Sequence, residues 1–138
     1  MSIEQHFGSD WTVKKLDAVE GYLKFFTTAL KKQKFKLCYI DAFSGSGNVT
    51  LKNGVVTDGS AIRALKYPFD RYILIEKDEN YHKALRQKID TSYSDKSKSI
   101  SLFNGDCNEL LQSINGKQWY KDGWRGVIFL DPYAMELD

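Results

Sequence analysis

The chain has 138 residues, 42% of them apolar and 28% charged, and a formal net charge of +2. That is enough for one domain with a hydrophobic core, and the balance is that of a folded globular protein rather than a disordered one. No apolar run approaches the length of about 18 residues that a spanning helix needs, and "MSIEQHFGSDW" lacks a basic-then-apolar leader.

In chain order, Leu16, Val19, Leu23, Phe26 and Leu30 fall three and four apart, which predicts an amphipathic helix over 12–32. "KLCYIDAF" (36–43) reads as a buried strand. "VTLKNGVVT" (49–57) predicts a hairpin around Asn53-Gly54, a pair suited to a type I′ turn. Ser60 is placed to cap a short helix through Lys66, stopped by Pro68. "RYILIE" (71–76) is a second strand. A helix over 78–89 follows, with Tyr81, Ala84, Leu85 and Ile89 inward. "SISLF" (99–103) is a third strand, 108–115 a helix closed by Gly116 as a left-handed cap, and "GVIFL" (126–130) a fourth strand. There is no internal repeat and no low-complexity tract.

Apolar strands alternating with helices predict an α/β fold with a parallel sheet covered on both faces. Right-handed crossovers predict the strand order 3-2-1-4, with 37–42 central and 99–103 at one edge. Two basic stretches, Lys24, Lys31, Lys32, Lys34 and Lys36, then Lys83, Arg86, Lys88, Lys96 and Lys98, read as solvated faces or as nucleic-acid contacts. Cys38 and Cys107 have no paired spacing, so a reduced, cytoplasmic protein without a metal site is expected.

In parallel sheets ligands sit beyond the carboxyl ends of the strands. The first strand ends in "DAFSGSG" (41–47), where Gly45 and Gly47 allow either a tight turn or a close backbone approach to a ligand. A dinucleotide fingerprint would need glycine at position 50, which is Thr50, followed by a helix rather than a hairpin; NAD is disfavoured. The GxxxxGK[ST] phosphate loop is absent as well. Glu76 ends the second strand, as a helix-start acid or as an acceptor for both hydroxyls of a ribose. Asp106 follows the third strand, as an N-cap, an acceptor for an adenine amino group, or both. Asp131-Pro132-Tyr133 ends the fourth, as a turn or a reacting site. Taken in order, the four ends suit S-adenosylmethionine: the glycine loop beside the amino-acid moiety, Glu76 on the ribose, Asp106 on the adenine, and the triplet facing the sulfonium methyl.

On the segments "WTVKKLDAVEGYLKFF", "YIDAFSGSG", "DGSAIRAL", "LIEKD", "GD" and "LDPYAM", the sequence resembles class I S-adenosylmethionine-dependent methyltransferases, and within them the three-Cys-motif partner protein family. The resemblance implies a Rossmann-like methyltransferase domain with an N-terminal helix. It implies S-adenosylmethionine as cofactor, with Asp41, Phe43, Gly45, Gly47, Glu76, Asp106 and Cys107 in its site. It implies Asp131, Pro132 and Tyr133 as the catalytic set: the acid and the proline carbonyl accept from an exocyclic amino group, and the aromatic ring stacks on the base. The expected substrate is a nucleic-acid base, flipped out if the substrate is a duplex. A cytosine-C5 enzyme would place a cysteine where Tyr133 stands. The sequence departs from the amino-methyltransferase pattern in its single proline, and from the narrower family in Ala134, where glycine is usual. The family name implies a three-cysteine-motif protein as a partner.

A complete domain of this kind resembles seven strands in the order 3-2-1-4-5-7-6, so residues 1–138 are expected to be its N-terminal part. The fourth strand would then be an apolar edge open to self-association. The alternative is a non-catalytic Rossmann-like remnant that binds a partner protein or nucleic acid through its basic helix.

Overall fold

The computed structural model describes residues 3–130. The elements are α1 (Ile3–Lys31), β1 (Lys36–Asp41), β2 (Asn48–Thr50), β3 (Val56–Asp58), α2 (Ser60–Ala64), β4 (Arg71–Glu76), α3 (Glu79–Ser92), a 3-10 turn (Ser94–Ser99), β5 (Ile100–Asn104), α4 (Cys107–Ser113), α5 (Gly116–Lys121) and β6 (Trp124–Phe129). It is an α/β arrangement. Four parallel strands lie in the order β5-β4-β1-β6, the expected 3-2-1-4, and β2 and β3 form a separate antiparallel hairpin.

β1 and β4 occupy the middle because their sequences have no polar face. Each is buried at every position after its first, and a strand apolar on both sides must be covered on both sides. On one face Leu23, Leu37, Tyr39, Ile62, Leu65, Leu74, Leu85 and Ile89 pack into a core beneath α1, α2 and α3. On the other, Cys38, Ile40, Ile73 and Ile75 meet Cys107, Leu110 and Leu111 of α4 and Trp119 of α5. Trp119 packs against Trp124 with ring centroids 5.7 Å apart. The Arg125 guanidinium lies between Phe35 and Tyr120, 4.1 and 4.0 Å from their centroids, and stitches α5 to the start of the sheet.

Arg63 joins the long helix to this frame. Its guanidinium, nearly buried, donates to Asp17 (2.9 Å) and Glu20 (3.0 Å) on α1, to Thr57 Oγ1 (3.0 Å), and through Nε to the Asp58 carbonyl (2.7 Å). Burial alone would raise the Glu20 carboxyl. Hydrogen bonds from Lys66 and Tyr67, with the charges of Lys66 and Arg63, outweigh it and hold the group below its ordinary value.

Four local expectations are corrected. Of the residues expected inward on α3, Leu85 and Ile89 are buried, but Tyr81 is 48% exposed and Ala84 is exposed as well, so the buried stripe is narrower than the apolar pattern. The hairpin turns through a three-residue loop, not a type I′ turn. The Gly54 N–H donates to the Leu51 carbonyl, and only Gly54 of the Asn53-Gly54 pair has positive φ, +86°; a type I′ turn needs both. Ser60 is not the cap of α2: extended Gly59 takes that place, and the Ser60 hydroxyl turns inward to a carboxylate. The helix expected over 108–115 is α4, which ends at Ser113, and a second, unexpected helix follows it. Asn115 accepts from the Gln118 N–H at 3.1 Å and starts α5, so Gly116 opens a helix instead of closing one. The left-handed glycine there is Gly123, φ +87°, just after α5.

Among the described residues no helix is long and apolar enough to cross a membrane. β6 forms one edge of the sheet, and Ile128 and Leu130 are 50% and 58% exposed there.

Candidate functional site at the carboxyl edge of the sheet

The connections from β1 lead outward to β4 and then β5, and the chain returns to β6 on the other side of β1. The order of strands therefore reverses at β1, the place where open α/β sheets form a crevice. The loop after β1 stays pinned to both neighbouring strands. Ala42 N–H donates to the Phe129 carbonyl (3.1 Å) and Ser44 N–H to the Ile75 carbonyl (3.0 Å). Gly45 and Gly47 then turn the backbone with φ of +66° and +94°, the region where only glycine sits without strain.

The two glycines differ in what surrounds them. A Cβ on Gly47 would come within 3.2 Å of both Ile62 and Leu85, so this glycine lets the loop lie against α2 and α3. Gly45 is tied to β4, its N–H donating to Glu76 Oε1 at 2.7 Å.

Glu76 is 9% exposed. Its other oxygen, Oε2, accepts from the Asp78 N–H at 2.8 Å, so the carboxylate clamps the glycine loop to the start of α3. The Glu76 carbonyl accepts from Gly105 N–H (3.2 Å) and the Asn104 side-chain amide (3.0 Å), which brings the end of β5 alongside. Asp106 caps α4, accepting from the Asn108 N–H at 2.7 Å. Cys107, half-buried, is the first residue of that helix and packs into the second core.

Asp41 lies beneath the loop and is fully buried. Tyr39 O–H (2.8 Å) and Ser60 O–H (2.5 Å) donate to Oδ2, and Phe43 N–H to Oδ1 (3.1 Å). Burial pushes its carboxyl up to about 6; these three donors offset only part of that, and the charge of Glu76 adds to the rise. Asp41 thus fixes the path of the loop from below, and Phe43 is half-buried above it.

The structure brings Asp41, Phe43, Gly45, Gly47, Glu76, Asp106 and Cys107 to one edge of the sheet. Asp131, Pro132 and Tyr133 lie outside the described residues, which end at Leu130, the residue before the triplet. Tyr39, Ser60 and Asn104 were not singled out from sequence. Tyr39 could have been, because strand residues two apart share a face and a tyrosine two before a buried acid can reach it. Ser60 comes near Asp41 only through the tertiary fold. Cys38 is buried on the opposite face, and burial pushes its thiol up to about 12. Among the described residues no three His, Cys, Asp or Glu side chains converge to hold a metal.

No family model and no curated protein matches the chain. A solved structure of a conserved hypothetical protein from Streptococcus pyogenes superposes on 59% of this chain and 44% of its own, with 18% identity and a TM-score of 0.43. The chain thus spans less than half of that protein's length.

Proposed function

We propose that this chain carries the cofactor-binding part of an S-adenosylmethionine-dependent methyltransferase of the three-Cys-motif partner type, acting on an exocyclic amino group of a nucleic-acid base. The observation that carries the reading is the placement of Glu76. A nearly buried carboxylate stands at the end of the strand beside the glycine loop, where a ribose is held in related folds. A carboxylate offers about four acceptor sites on its two oxygens. The amides of Gly45 and Asp78 take one site on each oxygen, which leaves acceptors for two ribose hydroxyls. The residues fit the group.

S-adenosylmethionine, when bound, supplies a methyl made electrophilic by its sulfonium. Everything else falls to this chain. Glu76 and the loop amides orient the ribose and amino-acid ends, and Asp106 accepts from the adenine amino group while capping α4. Asp131 and the Pro132 carbonyl accept from the substrate NH₂, which aims its lone pair, and Tyr133 stacks on the base. Alignment of nitrogen, methyl and sulfur is the main source of rate.

Calorimetric titration of the protein with S-adenosylmethionine and S-adenosylhomocysteine tests the cofactor assignment. Both should bind, and Glu76→Ala should weaken them about tenfold or more through the loss of charge-assisted bonds. A chain that melts normally but binds neither ligand would overturn it. In the full-length parent, Asp131→Ala should abolish methyl transfer while leaving cofactor affinity within a few-fold. One observation favours the second reading, a non-catalytic module. Both Glu76 oxygens and all three Asp41 donors are already engaged within the fold, as a purely structural loop would require.

A further inference from the structure

α1 carries two apolar stripes, and the sheet uses only one. Leu16, Val19, Leu23, Phe26 and Leu30 face the core. A second line, Trp11, Ala18, Tyr22, Phe25 and Ala29, repeats at spacings of seven, four, three and four on another side of the helix. Successive residues advance by about 100°, so these five positions share a narrow arc for about 30 Å of helix. Phe25 is 71% exposed, Trp11 61% and Tyr22 54%, although Tyr22 also stacks on Phe26 with centroids 6.1 Å apart. Three large aromatic rings left in water along one line are more than scattered surface apolars require.

The stripe alternates bulk with gaps. Gly21, Thr28 and Ala29 leave a shallow hollow walled by Phe25, Lys24 and Lys32. Beside it a groove runs between α1 and Tyr67-Pro68, lined by Lys24, Thr27, Thr28 and Lys31. Large side chains beside small ones, in a four-three repeat, are what a facing helix needs to seat its own side chains. The charge is one-sided too. Lys14 and Lys32 are exposed beside the stripe, Lys24 walls the hollow and Lys31 the groove beyond it, whereas the carboxylates of Asp17 and Glu20 are held by Arg63 and Lys66.

We propose that this face of α1 docks an amphipathic helix from a partner protein, one whose apolar seam is flanked by Asp and Glu. The aromatics seat the seam and the lysine rail selects its charge. A second copy of this chain fits poorly. Antiparallel pairing across a two-fold axis sets the same patch against itself, which brings Lys14 opposite Lys32. A nucleic-acid strand would match the lysines and could stack on the exposed rings, but it leaves empty the hollow of Gly21, Thr28 and Ala29, which a side chain of a facing helix would fill.

The test is fluorescence anisotropy with four labelled probes. They are a designed helical peptide with leucines at four-three spacing and glutamates on its flanks, the same peptide with lysine flanks, a single-stranded oligonucleotide, and vesicles of mixed phosphatidylcholine and phosphatidylserine. The glutamate-flanked peptide should bind at least about tenfold more tightly than the other three, and Phe25→Ser should weaken it by a similar factor, as loss of a central aromatic anchor does. Lys24→Glu with Lys32→Glu should reverse the order of the two peptides. These side chains are in solvent, so unchanged melting curves show that the variants fold. Preference for the oligonucleotide or the vesicles, binding of neither peptide, or binding indifferent to Phe25→Ser would overturn the proposal. So would a concentration-dependent dimer of the chain that Phe25→Ser dissolves.

Discussion

Beneath α1, α2 and α3 the sheet buries a continuous cluster from Leu23 to Ile89, whereas beneath α4 and α5, among the described residues, it buries Cys38, Ile40, Ile73 and Ile75. The covering helices explain the contrast. α1 has 29 residues and α3 has 14, against 7 in α4 and 6 in α5, and neither short helix contains a fully buried residue. A helix of one or two turns can lay only a few side chains on a strand, so one face is thick and the other thin. The candidate site is built from the thick side. Gly47 leans on Ile62 and Leu85, and Asp41 is held by Ser60 of α2. Loop geometry at the carboxyl edge therefore depends on packing tens of residues away in sequence.

The contrast can be broken most directly by matched truncations. Leu74→Ala, in the thick core, should cost about 2–5 kcal/mol. Leu111→Ala, half-buried on the thin side, should cost roughly 1 kcal/mol. Urea unfolding midpoints measure both, and equal losses would mean that the two faces bear the fold alike.

Asp41 offers a second probe of the thick side. Its folded carboxyl sits at about 6 against an ordinary 3.8. Between those values the folded chain keeps a proton that the unfolded chain has released. Stability from this group is therefore full below pH 3.8 and is lost as pH rises through about 6. The swing is on the order of 3 kcal/mol. Glu20 acts with the opposite sign: held below its ordinary 4.5, it loses its contribution as pH falls through its folded value. Asp41→Asn should remove only the first effect, so the difference between wild-type and variant stability should slope between pH 4 and 6 and go flat above. A constant difference across that range would show that Asp41 ionises as freely as in the unfolded chain.

Two glycines give the smallest and sharpest comparison. Gly47→Ala meets both positive φ and a crowded wall, and should destabilise by about 1–3 kcal/mol. Gly116→Ala meets open space at the first turn of α5 and should stabilise by about 0.4–1 kcal/mol through reduced freedom of the unfolded chain. Thermal melts of the pair suffice, and a stabilising Gly47→Ala would remove the loop from the thick face.

The strand order was legible in the sequence because β1 and β4 are unbroken apolar runs, which only a central position in a parallel sheet explains. The caps at Asp78 and Asp106 lie where acids precede an amphipathic repeat, so Asp106 could be read as an N-cap. The 108–121 region was not legible as two helices. Asn115-Gly116 serves as well for a stop as for a start, and local propensity does not choose between them. The role of Ser60 was hidden for another reason. A serine before "AIRAL" is a plausible cap on local grounds, and the competing partner, Asp41, lies nineteen residues away in sequence. Of the site, the placement of the glycines and acids at the strand ends was readable, but which donors already occupy those acids was not.

The indole pair of Trp119 and Trp124 gives the thin face its own optical signal. Two rings 5.7 Å apart couple their electronic transitions, so near-ultraviolet dichroism should carry a band that vanishes when α5 lifts from β6, even while the thick core keeps the helical far-ultraviolet spectrum. The chain's remaining tryptophan, Trp11, stands largely in solvent on the outer stripe of α1, and its emission should shift to the blue only when something covers it. One sample in a cuvette can thus report separately on the loosening of one surface and the occupation of another.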